Sequence, residues 1–291
     1  MRSKYLRIFL MSISIIFIIL LASSFSQASE KLHLRIWTDK DEYIPREPII
    51  VNYEVQNITD RIVRLDFWVL NMHFNIKDQE GKRYATELLI VTPGLEYPDS
   101  LRPGESYKSS KNITDSYGII SSGEYTCFLN NPSPQAKSNI IKIEVKEPEG
   151  KEKEALNLLL EAQSLASVDT NLGYPHRGKE ELAVMKCQEI VDRYPNRVHA
   201  PMGLLTAIEI RARWYEQRRL VIPICLQLIE LYPDYYYWSK GFTHLIETYE
   251  SLRDKEGAIN TLNELIEKHP TTKISERAEY WLEKIEKREF E

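Results

Sequence analysis

Three hexapeptides decide how the second half of this chain folds: Ile190-Val191-Asp192-Arg193-Tyr194-Pro195, Leu228-Ile229-Glu230-Leu231-Tyr232-Pro233 and Leu265-Ile266-Glu267-Lys268-His269-Pro270. The closing prolines are 38 and 37 residues apart, and three further columns keep the same spacings. They are Ala183, Val221 and Ala258; Cys187, Cys225 and Leu262; and Gly203, Gly241 and Ala278. Four columns in one register mark an internal repeat, whose unit can bury its apolar face only against its neighbours. Within each unit the apolar spacing is helical. Proline lacks the N–H that a helix interior needs, so each hexapeptide ends a helix. Small residues let helices approach closely while the larger ones fill the space between them.

One copy reads Phe242-x2-Leu245-Ile246-x2-Tyr249, then Ala258-x3-Leu262-x2-Leu265-x4-Pro270. This resembles the tetratricopeptide repeat, with Phe for Trp and Ile for Gly. The resemblance implies two antiparallel helices per unit over residues 151–290, about three units in an all-α solenoid, and a protein- or peptide-binding role. Asp254 is placed to cap the second helix of this copy. The middle copy departs from the pattern, with Arg211 in the Tyr position and Pro223 near the start of its second helix. From about Ser275 to Phe290 a charged last helix keeps Ala278, Leu282 and Ile285 on one face, as a solenoid cap requires.

In the repeat family the ninth position of each first helix faces the concave groove, which by register implies Glu161, Glu209 and Glu247. Three stacked carboxylates would take a basic or amine-bearing segment; a solvated face, with Glu209 paired to Arg213 one turn on, is the bland alternative. A second candidate is an insertion of 11 residues in the first unit, within Ser164 to Gly178, carrying Tyr174, His176 and Arg177. Long loops on solenoids often carry function. The repeat register places Cys187 and Cys225 in the same column as Leu262, which makes them core positions rather than a metal or redox pair. Tyr235-Tyr236-Tyr237-Trp238 opens a first helix and is read as packing rather than as a stacking platform for a base or sugar.

Upstream of the linker Glu147-Pro148-Glu149-Gly150 the period is two. Leu32, Leu34 and Ile36 alternate with polar residues or Trp, and Ile49, Val51, Tyr53 and Val55 form a second such set. About seven short strands over 31–146, separated by turns such as Asp78-Gln79-Glu80-Gly81 and Arg102-Pro103-Gly104, predict an antiparallel β-sandwich. Gly123-Glu124-Tyr125-Thr126-Cys127 resembles the late strand of an immunoglobulin-like domain, where a Tyr two residues before the Cys ties strand to loop. The early strand has no Cys, so Cys127 is read as a core residue. The turn order also resembles, weakly, a bacterial proteinase-inhibitor domain. The Asn-x-Thr sequons at Asn57 and Asn112 would mark surface turns in a host that glycosylates, but the leader is of bacterial type and neither is expected to be modified.

The first 28 residues hold Arg2, Lys4, Arg7 and no acid, then an apolar run from Ile8 to Ala22 and the small-x-small site Ser26-Gln27-Ala28. That is the pattern of a cleavable secretory signal. An uncleaved segment would be the chain's membrane attachment. Ser24 stands where a lipobox would need Cys. The chain has 291 residues, and without this leader its net charge falls from −5 to −8, which disfavours nucleic acid as a partner. No phosphate loop, dinucleotide fingerprint, zinc-protease or nucleophile-elbow motif occurs, and no His has metal-ligand spacing to Cys or another His. The expectation is therefore a periplasmic or secreted scaffold of two domains, non-catalytic and without metal or cofactor, binding a protein or peptide in an envelope assembly. The alternatives are a proteinase-inhibitor-like binder acting through the sandwich loops and an envelope polysaccharide enzyme or accessory.

Overall fold

The computed structural model describes residues 32–65, 73–84, 98–118, 121–132, 135–166, 177–213 and 215–287. The signal-like segment, Tyr174 and His176 lie outside them. The chain separates into two compact units, Met1–Glu147 and Pro148–Glu291.

The first unit is rich in sheet. One sheet orders β1 (Leu32–Thr38), β3 (Ile50–Asn57) and β8 (Ser106–Asn112). The other orders β2 (Glu42–Tyr43), β11 (Ile141–Val145), β9 (Gly123–Pro132), β5 (His73–Asp78) and β6 (Arg83–Tyr84), with β10 (Gln135–Lys137) on β9. Two short segments, β4 (Val63–Arg64) and β7 (Ser100–Leu101), pair separately. Alternation does what it predicts: Leu32, Leu34 and Ile36 meet Val51, Tyr53, Val55, Phe74, Ile76, Tyr125, Cys127, Leu129, Ile143 and Val145 in one core. Both sheets therefore close on a single apolar layer. Asn139 ties β1 across this boundary, its Oδ1 accepting from Ile36 N and its Nδ2 donating to Ile36 O, each at 2.9 Å.

Two expectations fail in this unit. Residues Ile113–Tyr117 form a short helix, α1, in a region read as having no helix. Asn112 starts it by accepting from Thr114 N at 2.9 Å, a side-chain cap that outweighs the strand pattern around it. The sequon asparagines are also not at the surface. Asn57 is fully buried and donates to the carbonyls of Arg61 (2.6 Å) and Leu101 (2.9 Å), and Asn112 is buried as well. Their amides are structural hydrogen-bonding groups, closed to a glycan in the folded chain.

The second unit is all-helical among the described residues. It runs α2 (Gly150–Ala166), α3 (Arg177–Arg193), α4 (His199–Ala212), a 3-10 turn (Tyr215–Leu220), α5 (Val221–Leu231), α6 (Trp238–Leu252), α7 (Lys255–Lys268) and α8 (Lys273–Glu286). Pro195, Pro233 and Pro270 follow the ends of α3, α5 and α7 by two residues. Ala183, Val221, Ala258, Cys187, Cys225, Leu262 and Ala278 of the repeat columns are all fully buried. Asp254 caps α7, accepting from Gly257 N at 2.8 Å. A Cβ built on Gly203 would sit 3.1 Å from the Cys187 carbonyl oxygen, and one on Gly241 would sit 3.4 Å from that of Cys225. The same pair of columns thus makes the same close contact between successive units.

The register extends further than the four columns. Ala155, Leu156 and Leu159 are buried at the first-unit equivalents of Gly241, Phe242 and Leu245. Leu160, the equivalent of the buried Ile246, is 38% exposed. A first unit has no preceding repeat to cover that position. The last helix begins two residues before Ser275 and is described as far as Glu286; Phe290 lies outside the described residues.

Candidate functional site

The three groove carboxylates sit on three successive first helices and all are exposed. Glu161 on α2 lies 3.2 Å from Lys186 Nζ on α3, and Glu247 on α6 lies 3.4 Å from His244 Nδ1 one turn earlier. Glu209 on α4 has no ion-pair partner among the described residues. The alternative pairing of Glu209 with Arg213 does not form. Arg213 instead donates to the carbonyl of Ala166 at 3.1 Å, because the carbonyls ending α2 have no partner within their own helix. In each pair the carboxylate is the exposed member and its partner is half-buried, so the carboxylate stays open to solvent. Of the insertion residues, Arg177 is the first residue of α3, and its side chain, like Tyr174 and His176, falls outside the described residues.

The aromatic run packs inward. Tyr235, Tyr237 and Trp238 lie against the helical core, and Trp238 meets Phe242 edge-on with centroids 5.6 Å apart. Lys273 caps the outer face of Trp238 at 5.4 Å and pairs with Asp234 at 2.7 Å. Only Tyr236 of the run is exposed.

Two polar arrangements carry no signal in the sequence. Arg211 on α4 forks onto Glu181 of α3, Nη2 to Oε2 at 2.7 Å, while Gln217 accepts from Arg211 at 2.9 Å and donates to Glu181 at 3.1 Å. The Arg211 hydrogen bond holds the Glu181 carboxyl below its ordinary range. This network anchors the 3-10 turn that precedes α5. His199, fully buried at the start of α4, meets Glu152 of α2 at 2.9 Å. Partners 30 and 47 residues apart leave no local pattern to read. Repeat spacing does recur in hydrogen bonds: Tyr232 Oη donates to the Pro195 carbonyl at 2.9 Å, and Lys268 reaches Glu230 at 2.7 Å.

All three cysteines are buried and free. Burial pushes the Cys127 and Cys187 thiols up to about 12, and raises Cys225 further with the help of Glu247. A raised pKa means that the folded state holds a proton the unfolded chain gives up near pH ~8.5. The stability this confers is complete below that pH and is lost as pH rises toward the folded value, at about 1.4 kcal/mol per pH unit per thiol. The folded chain should resist iodoacetamide at pH ~9, where an ordinary Cys is largely thiolate, and all three thiols should react once urea unfolds it. Alkylation of the folded chain at the unfolded rate would contradict their burial.

Among the described residues, no group of three His, Cys, Asp or Glu is placed to hold a metal ion, and no helix is long and apolar enough to cross a membrane. No curated protein sequence matches the chain. Among solved structures, a point mutant of a beta-glucosidase from Listeria innocua in complex with laminaribiose is 14% identical at a TM-score of 0.23, covering 40% of this chain and 16% of that one. The beta-glucosidase from Listeria innocua in complex with glucose is likewise 14% identical at a TM-score of 0.22, covering 39% and 16%. This chain thus spans about a sixth of the length of either. A tetratricopeptide-repeat family model matches residues 244–272, which hold most of α6, all of α7 and the turn after it. Repeats of this kind generally mediate protein–protein interaction, and this one lies within an all-helical region whose neighbouring units keep its register.

Proposed function

We propose that the chain is an exported, non-catalytic scaffold that holds a protein or peptide partner in a cell-envelope assembly. The observation that carries this reading is the repeat match within a helical region of uniform register. Export rests on the N-terminal sequence pattern alone, with its basic flank, apolar run and small-x-small site. The partner surface on this reading is the first-helix row of Glu161, Glu209 and Glu247, and the partner segment is basic. Glu209 supports it most, being an exposed carboxylate without an ion pair among the described residues. Glu161 and Glu247 are themselves exposed, and each meets a half-buried partner, Lys186 and His244.

The first unit is read as immunoglobulin-like. Three features support that. The chain order β1-β3-β8 against β5-β9-β11 follows the family's A-B-E and C-F-G sheets. The first edge divides between sheets, β2 running parallel to the last strand β11. Tyr125, two residues before Cys127, donates its hydroxyl to the Ser121 carbonyl at 2.9 Å, the corner bond of that family.

The groove is tested with a fluorescein-labelled Lys-rich peptide in anisotropy titrations. The full chain should bind saturably and more tightly at low salt, because exposed charges are screened within about 8–10 Å at physiological ionic strength. Glu209→Lys with Glu247→Lys should weaken binding by about tenfold or more while the circular dichroism spectrum is unchanged. Equal binding by the double variant would remove the carboxylate row from the account.

A further inference from the structure

The last helix, α8, continues the row of first helices. Ala162, Ile210, Thr248 and Ile285 share one column of the repeat register, and all are buried. So are Ala155, Gly203, Gly241 and Ala278, the column seven residues earlier. Two buried columns turn α8 to the core as the three helices before it are turned, so its other residues fall in their register. Lys284 then stands in the column of Glu161, Glu209 and Glu247, and all four are exposed. Glu154, Met202, Lys240 and Arg277 share the column seven residues before that one. Both columns begin with Glu on the first helix and end with a cation on the last.

The charges of α8 are sorted rather than mixed. Lys273, Arg277, Tyr280, Lys284 and Lys287 follow one another at steps of four and three residues, which lays them along one stripe. Glu276, Glu279, Glu283 and Glu286 lie along another. A helix surface that only has to stay wet gains most from opposite charges three or four residues apart. Among the described residues one such pair forms on α8, Lys287 with Glu283, while Lys273 is taken by Asp234. Arg277 and Lys284 have neither an ion pair nor a hydrogen bond among the described residues. Both instead sit over the ring of Tyr280, at 4.8 and 5.4 Å from its centroid, and Tyr280 is 44% exposed.

We infer that the first-helix face is bipolar and takes a partner segment in two parts, basic residues against Glu161, Glu209 and Glu247 and acidic side chains against Arg277 and Lys284 beside Tyr280. This rests on the docking face proposed above and adds the partner's charge order to it. Two cations in two columns call for two acidic side chains rather than the single carboxylate of a chain terminus. The guanidinium offers the planar fork that carboxylates fit, and the ammonium adds a point charge. Helices α6 and α8 touch, and packed helices lie about 8–10 Å apart, which is about three residues of extended chain. The acidic pair is therefore separated from the basic run by a gap of about that length. A segment basic throughout would meet like charge at α8, so the last helix discriminates against it.

The test titrates the full chain with fluorescein-labelled, C-terminally amidated peptides and reads anisotropy. One peptide is a Lys-rich run alone. Others carry Glu-Glu, or the matched Gln-Gln, after or before that run across a glycine spacer of about three residues. In one of the two orders Glu-Glu should bind about tenfold more tightly than Gln-Gln, although it carries less positive charge, because two exposed ion pairs each add modestly. Arg277→Gln with Lys284→Gln should abolish that preference and leave the Lys run bound at least as tightly, which also shows that the face is still folded. Lys284→Gln alone, at an exposed position, should reduce the preference by about threefold. Gln-Gln peptides that bind as tightly as Glu-Glu in both orders, with the Lys run still bound, would overturn the bipolar face and leave the carboxylate row standing. So would a Glu-Glu preference that persists in the double variant. Failure of every peptide to bind would remove the docking face and this inference with it.

Discussion

Phe242→Ala should lower the stability of the full chain by about 3–5 kcal/mol, the usual cost of emptying a fully buried aromatic site. Phe242 is fully buried, meets Trp238 edge-on, and shares its core with residues of α4, α5, α7 and α8. The loss is therefore felt by three successive units rather than one. Typical domains have only about 5–15 kcal/mol in hand, so the variant should unfold early in urea and lose helical circular dichroism first. Trp238 is positioned by the same ring and should report the change by fluorescence. Full helical signal at the wild-type midpoint would mean that α6 is not packed as described.

Gly241→Leu should also be strongly destabilising, by about 1–3 kcal/mol or more, through overpacking. A Cβ on Gly241 would already lie 2.9 Å from Ile229 Cγ1, closer than real Cβ atoms come. Further atoms would have to displace α5. Gly241→Ala is the informative companion, because it sets that contact against a gain of about 1 kcal/mol in helix propensity. The third interface already accommodates Ala278 in this column, so one methyl can be absorbed when the facing residues give way. Gly178, with nothing within 4 Å of its added Cβ, is the control and should accept Ala without loss. Urea midpoints for the three variants, measured by circular dichroism, would rank Gly178→Ala above Gly241→Ala above Gly241→Leu. Any other order would contradict the close approach of the repeats.

The repeat columns were legible because a periodic fold writes its contacts at fixed spacing. Gly203 and Gly241, Cys187 and Cys225, and the three prolines each occupy one structural place repeated. The strand alternation of β1 and β3 was legible for the same reason, at period two. Contacts without a period were not. The α1 helix depends on a single cap at Asn112, and the buried Asn57 depends on carbonyls brought to it by a loop. Neither leaves more than an Asn in a polar stretch. The site was less legible than the fold. Glu161, Glu209 and Glu247 follow from register, but only coordinates could turn Arg213 away from Glu209 and toward Ala166.

On the proposed function, a partner docks on the first-helix face of the helical unit. The decisive experiment places a photo-crosslinking residue at Glu161 of the full chain, and in a second preparation at Met185 on the second helix α3, and irradiates cells that make the protein. Met185 is 66% exposed, so accessibility does not favour the groove position. A partner docked on the first-helix face gives a discrete, light-dependent adduct of one protein with the Glu161 position and none with Met185. An adduct at Met185 alone, or equal labelling at both, would contradict it.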